Sequence, residues 1–282
     1  MNNRNESRDP IDQGAQEGIC GRNVKITDQN SHKRNRKNEQ NAVAWMADLI
    51  FPRRCPACDR AVRPFGGIIC RECEDQLLVR ELSSEMALCC QCGKPLQDEH
   101  REFCEDCTKI HHRYQRGCAV YRYRDVSGAL YRLKYQGRRE YAEWMGERMA
   151  ERLCQEFDPE EIDALVPVPV SARRERKRGY NQAAALAFYI SRETGIPIRE
   201  EYLARRTDTA VLRGMSGEER RRNLKNAFIA PVDDVKSKVI MLIDDIYTTG
   251  ATIDACTEQL LEKGASAVCY VTLAIGESPA PE

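Results

Sequence analysis

The sequence predicts an α/β protein: a parallel sheet with helices on both faces, preceded by a small module that folds around metal. Three observations predict it. Val239 to Ile243 is an unbroken apolar run, as expected for a strand buried on both faces of a parallel sheet. An acidic pair, a small hydroxyl-rich turn and the helix-patterned stretch Ile253–Lys263, closed by Gly264, follow it directly. Upstream, eight cysteines in four Cys-x-x-Cys pairs lie between residues 55 and 107.

Length and composition narrow the function classes. The chain has 282 residues, enough for a full-sized core and a smaller module. Its 44 basic and 44 acidic residues cancel, so no global field favours nucleic acid or membrane. No apolar run reaches about 18 residues, so no membrane span is expected. The N-terminus is polar and lacks the apolar centre of a signal peptide. The 14 cysteines are therefore expected in a reducing cytoplasm, where paired Cys-x-x-Cys motifs indicate metal rather than disulfides.

Residues 1–40 are polar and nearly free of aromatics, and are expected to form a disordered tail. The basic cluster Lys33–Lys37 within it reads as a solvated charge run. Ala42–Phe51 reads as a short apolar helix stopped by Pro52. It opens a ribbon module over 41–112, followed by the α/β domain over 113–276 and a short tail over 277–282.

Cys55, Cys58, Cys70 and Cys73 are spaced C-x2-C-x11-C-x2-C, and Cys89, Cys92, Cys104 and Cys107 repeat that spacing 34 residues on. A Cys-x-x-Cys turn aims two thiolates at one point, and two such turns complete a tetrahedral Zn(II) site. Four thiolates leave no open position, so both zinc ions are expected to be structural. Each would contribute about 10–16 kcal/mol of metal-coupled folding energy. Equal spacing favours sequential pairing, with interleaved pairing as the alternative. A thioredoxin-like redox reading lacks its βαβ context, and an iron–sulfur cluster is the minority alternative. His100, His111 and His112 read as surface residues, because eight cysteines already fill two sites.

Cys118–Tyr123 reads as the strand entering the second domain, and Val126–Tyr135 and Tyr141–Phe157 as helices split at Gly137. Lys134 stands at the end of the first helix, either as a helix-end cation or as a site residue. Asp163–Val170 reads as a strand running into a proline-stiffened turn. Ser171–Gln182 then reads as a basic strand-end loop, with cations including Arg173 and Arg178 suited to a diphosphate. A helix is expected from about Asn181 to Thr194, and a strand around Ile198–Leu203. The glycine-punctuated stretch 205–223 reads as a mobile hood, with Ser216 and Glu219 as a capping box. Ala267–Ile275 reads as a further buried strand.

The chemistry converges after the strand at 239–243. Thr248, Thr249, Gly250, Ala251 and Thr252 carry little bulk, so backbone N–H groups there can close around an anion. The following helix N-terminus adds about half a positive charge. Asp244 and Asp245 would repel a phosphate and suit the hydroxyls of a sugar attached to it. No Gly-Lys-Ser/Thr follows, which excludes a Walker A loop, and a single glycine excludes a dinucleotide motif.

This stretch resembles the 5-phosphoribosyl diphosphate (PRPP) signature of type I phosphoribosyltransferases. Residues about 52–276 are identified as similar to the ComF/ComFC family, which joins a double zinc ribbon to a type I phosphoribosyltransferase-like domain. The eight cysteines, Leu133–Gly137, Val166–Pro169, Arg178–Gln182, Arg206–Thr207, Arg220, Asn223 and the PRPP signature carry the likeness. It implies PRPP held with Mg(II), Asp244 and Asp245 at the ribose hydroxyls, and residues 248–252 at the 5′-phosphate. It also implies phosphoribosyl transfer to an acceptor of unknown identity and a role in natural transformation, acting on single-stranded DNA. The alternative is a non-catalytic module that binds PRPP or a DNA 5′-phosphate, with its ribbon contacting single strands or a competence helicase. Leu212 stands where similar hoods usually carry Gln, a departure that touches the acceptor side or loop closure.

Overall fold

The computed structural model describes residues 52–62, 67–83, 86–206 and 227–276. The expected tail over 1–40, the helix at 42–51, the hood beyond Arg206 with its capping box and Leu212, and the tail at 277–282 lie outside the described residues.

Two short helices, α1 (Arg71–Leu78) and α2 (Glu105–Lys109), start directly after Cys70 and Cys104 and carry Cys73 and Cys107, so each spans the second cysteine pair of its ribbon. The sheet begins at β1 (Arg116–Arg122). Next come α3 (Tyr123–Tyr135), α4 (Tyr141–Glu156), β2 (Ala164–Pro167), α5 (Ala172–Arg178) and α6 (Gln182–Thr194). The short strands β3 (Ala204–Arg205) and β4 (Phe228–Ile229) pair antiparallel. The chain closes with β5 (Val239–Tyr247), α7 (Ala251–Glu262) and β6 (Ala267–Ile275).

Among the described residues the main sheet is parallel throughout, in the order β1-β6-β5-β2. Successive side chains of a strand point to opposite faces, and the central strands serve two cores by this alternation. Met241 and Ile243 of β5 join Cys269 and Val271 of β6 in one core, against α3, α4 and α6. Ile240 and Leu242 join Val268 and Tyr270 in the other, with Ile253, Cys256 and Leu260 of α7. Helices thus cover both faces, as the apolar run required. Fully burying a side chain such as Met145, Met149 or Leu153 of α4 contributes about 1.5–3 kcal/mol.

The two ribbons divide between these cores. Val62, Ile69 and Leu77 of the first pack with α3 and α4, whereas Leu82, Cys89, Cys92 and Cys107 of the second pack with Tyr247, Tyr270 and α7. Arg132 of α3 donates to the carbonyls of Pro56 and Ala57, and Tyr141 donates to Asp59. On the other side, the Tyr270 hydroxyl donates to the carbonyl of Cys92 at 2.8 Å. Its ring lies so close over β1 that position 117 must be glycine: a Cβ there would fall 1.9 Å from Tyr270 Cε1.

Three local expectations are corrected. β5 does not stop at the acidic pair but runs through it to Tyr247, with Asp244 still in register with Thr272 of β6. Residues 172–178, read as loop, form helix α5, because Ser171 caps it by accepting the Arg174 N–H at 3.4 Å and Gly179 ends it at φ +81°. Around 198–203 there is no long strand: Ile198 makes one parallel bridge to Leu165, and Glu200–Tyr202 forms a turn of 3₁₀ helix before β3.

Candidate functional site

Each cysteine quartet converges in sequential pairs. In both Cys55/Cys58/Cys70/Cys73 and Cys89/Cys92/Cys104/Cys107 the sulfurs all lie within 4.8 Å of one another. A Zn–S bond of about 2.3 Å implies a tetrahedral edge of about 3.8 Å. The Cys58–Cys70 and Cys92–Cys104 sulfur separations are 3.8 and 3.6 Å, so the donor set fits Zn(II) in size as well as chemistry. Arg60 Nε donates to the Cys58 sulfur at 3.4 Å, which favours the thiolate form. Cys90 lies outside both quartets.

The second constellation sits at the carboxyl end of β5. Asp244 Oδ1 accepts the Asp245 N–H at 2.8 Å, which fixes the pair at the strand end. Asp245 is buried and its Oδ2 forms an ion pair with Nζ of Lys134, at the C-terminal turn of α3. Asp244 keeps part of its surface open, yet its surroundings withhold enough solvent to matter. Burial, and then the neighbouring Asp245 carboxylate, push its pKa up to about 8.

Past the pair, Thr248 and Thr249 are exposed. Gly250 adopts φ +79° and opens α7 with no side-chain cap, leaving the first N–H groups of the helix for another acceptor. Ala251 and Thr252 fall in that first turn rather than before it. The end of β6 braces the turn from below, with the Gly276 N–H donating to the Tyr247 carbonyl at 2.7 Å.

Two motifs from distant parts of the sequence interlock beside this turn. The Tyr180 hydroxyl donates to the Leu133 carbonyl at 2.6 Å, and Asn181 Nδ2 to the Val168 carbonyl at 3.1 Å. The Arg178 guanidinium lies 5.1 Å from the Tyr135 ring centre and also donates to Gln182 Oε1. Lys134, Arg178 and Asp245 are thereby joined through α3. Arg173, on the first turn of α5, is solvent-exposed and is not among the residues so joined.

Sequence reading missed a buried polar cluster beneath the turn. His112, expected at the surface, is buried, with Nδ1 2.7 Å from Asp254 Oδ2. The Tyr114 and Tyr247 hydroxyls meet at 2.7 Å, and burial pushes both phenols up, so they remain neutral. No periodicity marks a histidine after a zinc ribbon as a partner of an acid 142 residues later.

No helix among the described residues is long and apolar enough to cross a membrane. Residues 46–108 match the double zinc ribbon domain family. Competence protein F of Haemophilus influenzae is 30% identical over 224 residues, covering 76% of this chain and 93% of that protein. DNA utilization protein YhgH of Escherichia coli K12 is 30% identical over 224 residues, covering 78% of this chain and 96% of that one. Among solved structures, a glutamine PRPP amidotransferase from B. subtilis with ADP and GMP shares 19% identity at a TM-score of 0.35, over 50% of this chain and 30% of its own. At that score the likeness adds nothing to the strand order itself. Two zinc sites of four cysteines each, a parallel sheet with helices on both faces, and 30% identity to competence protein F over most of both chains converge: the chain belongs to the ComF/ComFC family.

Proposed function

We propose that the chain binds PRPP and transfers its phosphoribosyl group to an acceptor, in the service of DNA uptake and natural transformation. One observation carries the reading: a carboxylate pair at the end of a central parallel strand, one member paired to Lys134, directly precedes an uncapped helix N-terminus opened by a left-handed glycine. The turn at Thr248, Thr249, Gly250, Ala251 and Thr252 offers N–H and hydroxyl donors to the 5′-phosphate. Asp244 and Asp245 accept from the ribose hydroxyls, and Lys134 and Arg178 face the diphosphate side. Mg(II), when bound with PRPP, neutralises diphosphate charge. The chain's own contribution is orientation and charge stabilisation as the bond at ribose C1 breaks, and no side chain acts as nucleophile. The relatives' names, competence protein F and DNA utilization protein, support the cellular role.

Calorimetry with PRPP and magnesium tests the pocket: Asp245→Asn or Thr249→Ala should weaken binding about tenfold or more. Unchanged affinity in both would remove the assignment. A screen of nucleobases and amines for diphosphate release then identifies the acceptor.

A specific surface supports a second reading, a module that binds PRPP or the 5′-phosphate of single-stranded DNA without turnover. Tyr131 and Tyr135 are exposed on α3 with ring centres 5.2 Å apart, next to Arg178 and the arginine-rich α5. Exposed aromatics among arginines suit stacked bases. Salt-sensitive binding of single strands with no diphosphate release would favour this reading, and contact with a helicase through the ribbon belongs to it.

A further inference from the structure

We propose that His112 is a positioning residue that ties the second zinc cluster to the phosphate turn and turns the Asp254 charge away from the bound anion. The proposal rests on the assignment of residues 248–252 to a phosphate.

Asp254 poses an electrostatic problem. It lies in the first turn of α7, the helix whose N-terminus is to receive an anion, and its own N–H bonds the Gly250 carbonyl at 2.8 Å. A free carboxylate there would compete for the same N–H groups and repel a phosphate. Both of its oxygens are engaged from behind: Oδ2 by His112 Nδ1 at 2.7 Å, and Oδ1 by the Arg113 N–H at 3.0 Å. Because a carboxylate only accepts, Nδ1 carries the proton. The imidazole also forms the floor of the turn, since a Cβ on Gly250 would fall 2.7 Å from His112 Cε1.

The other end of this link is the second zinc knuckle. Gln91 lies between the ligands Cys89 and Cys92, and its Nε2 donates to the carbonyls of His112 and Tyr114 at 3.5 Å each. The Gln91 carbonyl accepts the Gly117 N–H at 2.8 Å. The His112 ring stacks on Tyr114 with centres 4.9 Å apart, and Tyr114 holds Tyr247, the residue before Thr248. A chain of contacts thus runs from the metal ligands to both ends of the turn.

Packing alone does not account for a histidine here. Its side chain is 0% exposed, and Nε2 is buried with no hydrogen-bond partner. An apolar side chain would fill the space without that desolvation cost. What histidine supplies is the side-chain N–H that engages Asp254 Oδ2, beside the Arg113 backbone N–H on Oδ1.

The test uses the full zinc-loaded chain and ribose 5-phosphate as probe, which lacks the diphosphate that could itself strip zinc. His112→Ala should lose about tenfold in ribose 5-phosphate affinity at unchanged zinc content. Adding Asp254→Asn to it should restore most of that loss, which a purely structural role would not do. His112→Gln, whose amide can still donate, should stay within about threefold of the parent and covers the case in which the alanine variant does not fold. Amide hydrogen exchange at 250–256 should quicken in His112→Ala, while Asp59→Asn, in the first ribbon, should leave it unchanged. By reciprocity, ribose 5-phosphate should reduce the equilibrium release of one zinc equivalent to a competing chelator, and His112→Ala should abolish that reduction. Quickened exchange without any ribose 5-phosphate binding to the parent chain would keep the link and discard the phosphate assignment. Parental exchange, zinc release and affinity in His112→Ala would overturn the proposal.

Discussion

Lys134, the penultimate residue of α3, forms an ion pair with the buried Asp245 of β5, although 111 positions separate them in the chain. Removing the cation leaves a buried carboxylate without its counter-charge, a loss of about 3 kcal/mol where both partners are desolvated. Both side chains here are mostly shielded, so Lys134→Met is expected to cost about 2–3 kcal/mol by urea denaturation. Lys134→Met combined with Asp245→Asn should recover most of that stability while PRPP affinity stays low. Recovery of affinity as well would assign Lys134 to the fold rather than to the ligand.

Asp244 sets a pH dependence. Its pKa in the folded chain is about 8, raised from 3.8 by burial and by Asp245, so the folded state binds the proton more tightly than the unfolded state. The stability this confers is complete below about pH 4 and is lost as pH rises toward 8. Asp244→Asn should flatten this decline, gaining about 1–3 kcal/mol over the parent at pH 9. Ribose hydroxyls donate to the ionised form, so PRPP binding at pH 7 should release a proton that Asp244→Asn does not release. Calorimetry in two buffers of different ionisation enthalpy measures it.

The contact between β1 and Tyr270 makes a sharp steric test. Gly117→Ala places a methyl inside the Tyr270 ring, which cannot retreat without losing its hydrogen bond to Cys92. A loss of about 2–3 kcal/mol is expected from overpacking and strain. Gly117→Ala combined with Tyr270→Leu should recover part of it, as read from thermal unfolding.

Chelation should act on the sheet as well as on the ribbons. Each quartet packs into a core that also holds sheet strands, so removing zinc should lower the melting temperature of the whole chain by well over about 10 °C. A melting transition of the α/β part that does not respond to chelator would contradict the shared packing.

Much of this was legible from local chemistry. The Val239–Ile243 run located a central strand because only a strand covered on both faces reads that way, and β6 occupies Ala267–Ile275 as read. The repeated cysteine spacing located both quartets. What escaped depends on long-range geometry. The arginines at 173–178 resembled a loop because charge hides helix periodicity, whereas the Ser171 cap and Gly179 stop were the usable signals. His112 escaped because nothing adjacent to it in sequence reveals that Asp254 lies 2.7 Å from its ring. The ion pair of Lys134 was equally invisible, although its place at a helix end marked it as a candidate.

The division of the two ribbons between opposite faces of the sheet bears on how the module can be inherited. Arg132 and Tyr141 hold the first ribbon, and Tyr270 over Gly117 holds the second. A hybrid that grafts residues 52–112 of a relative onto this sheet imports two halves of a joint without their sockets. Such grafts should tolerate exchange only when these four receiving positions travel with them, which makes the ribbon and the sheet a single hereditary unit.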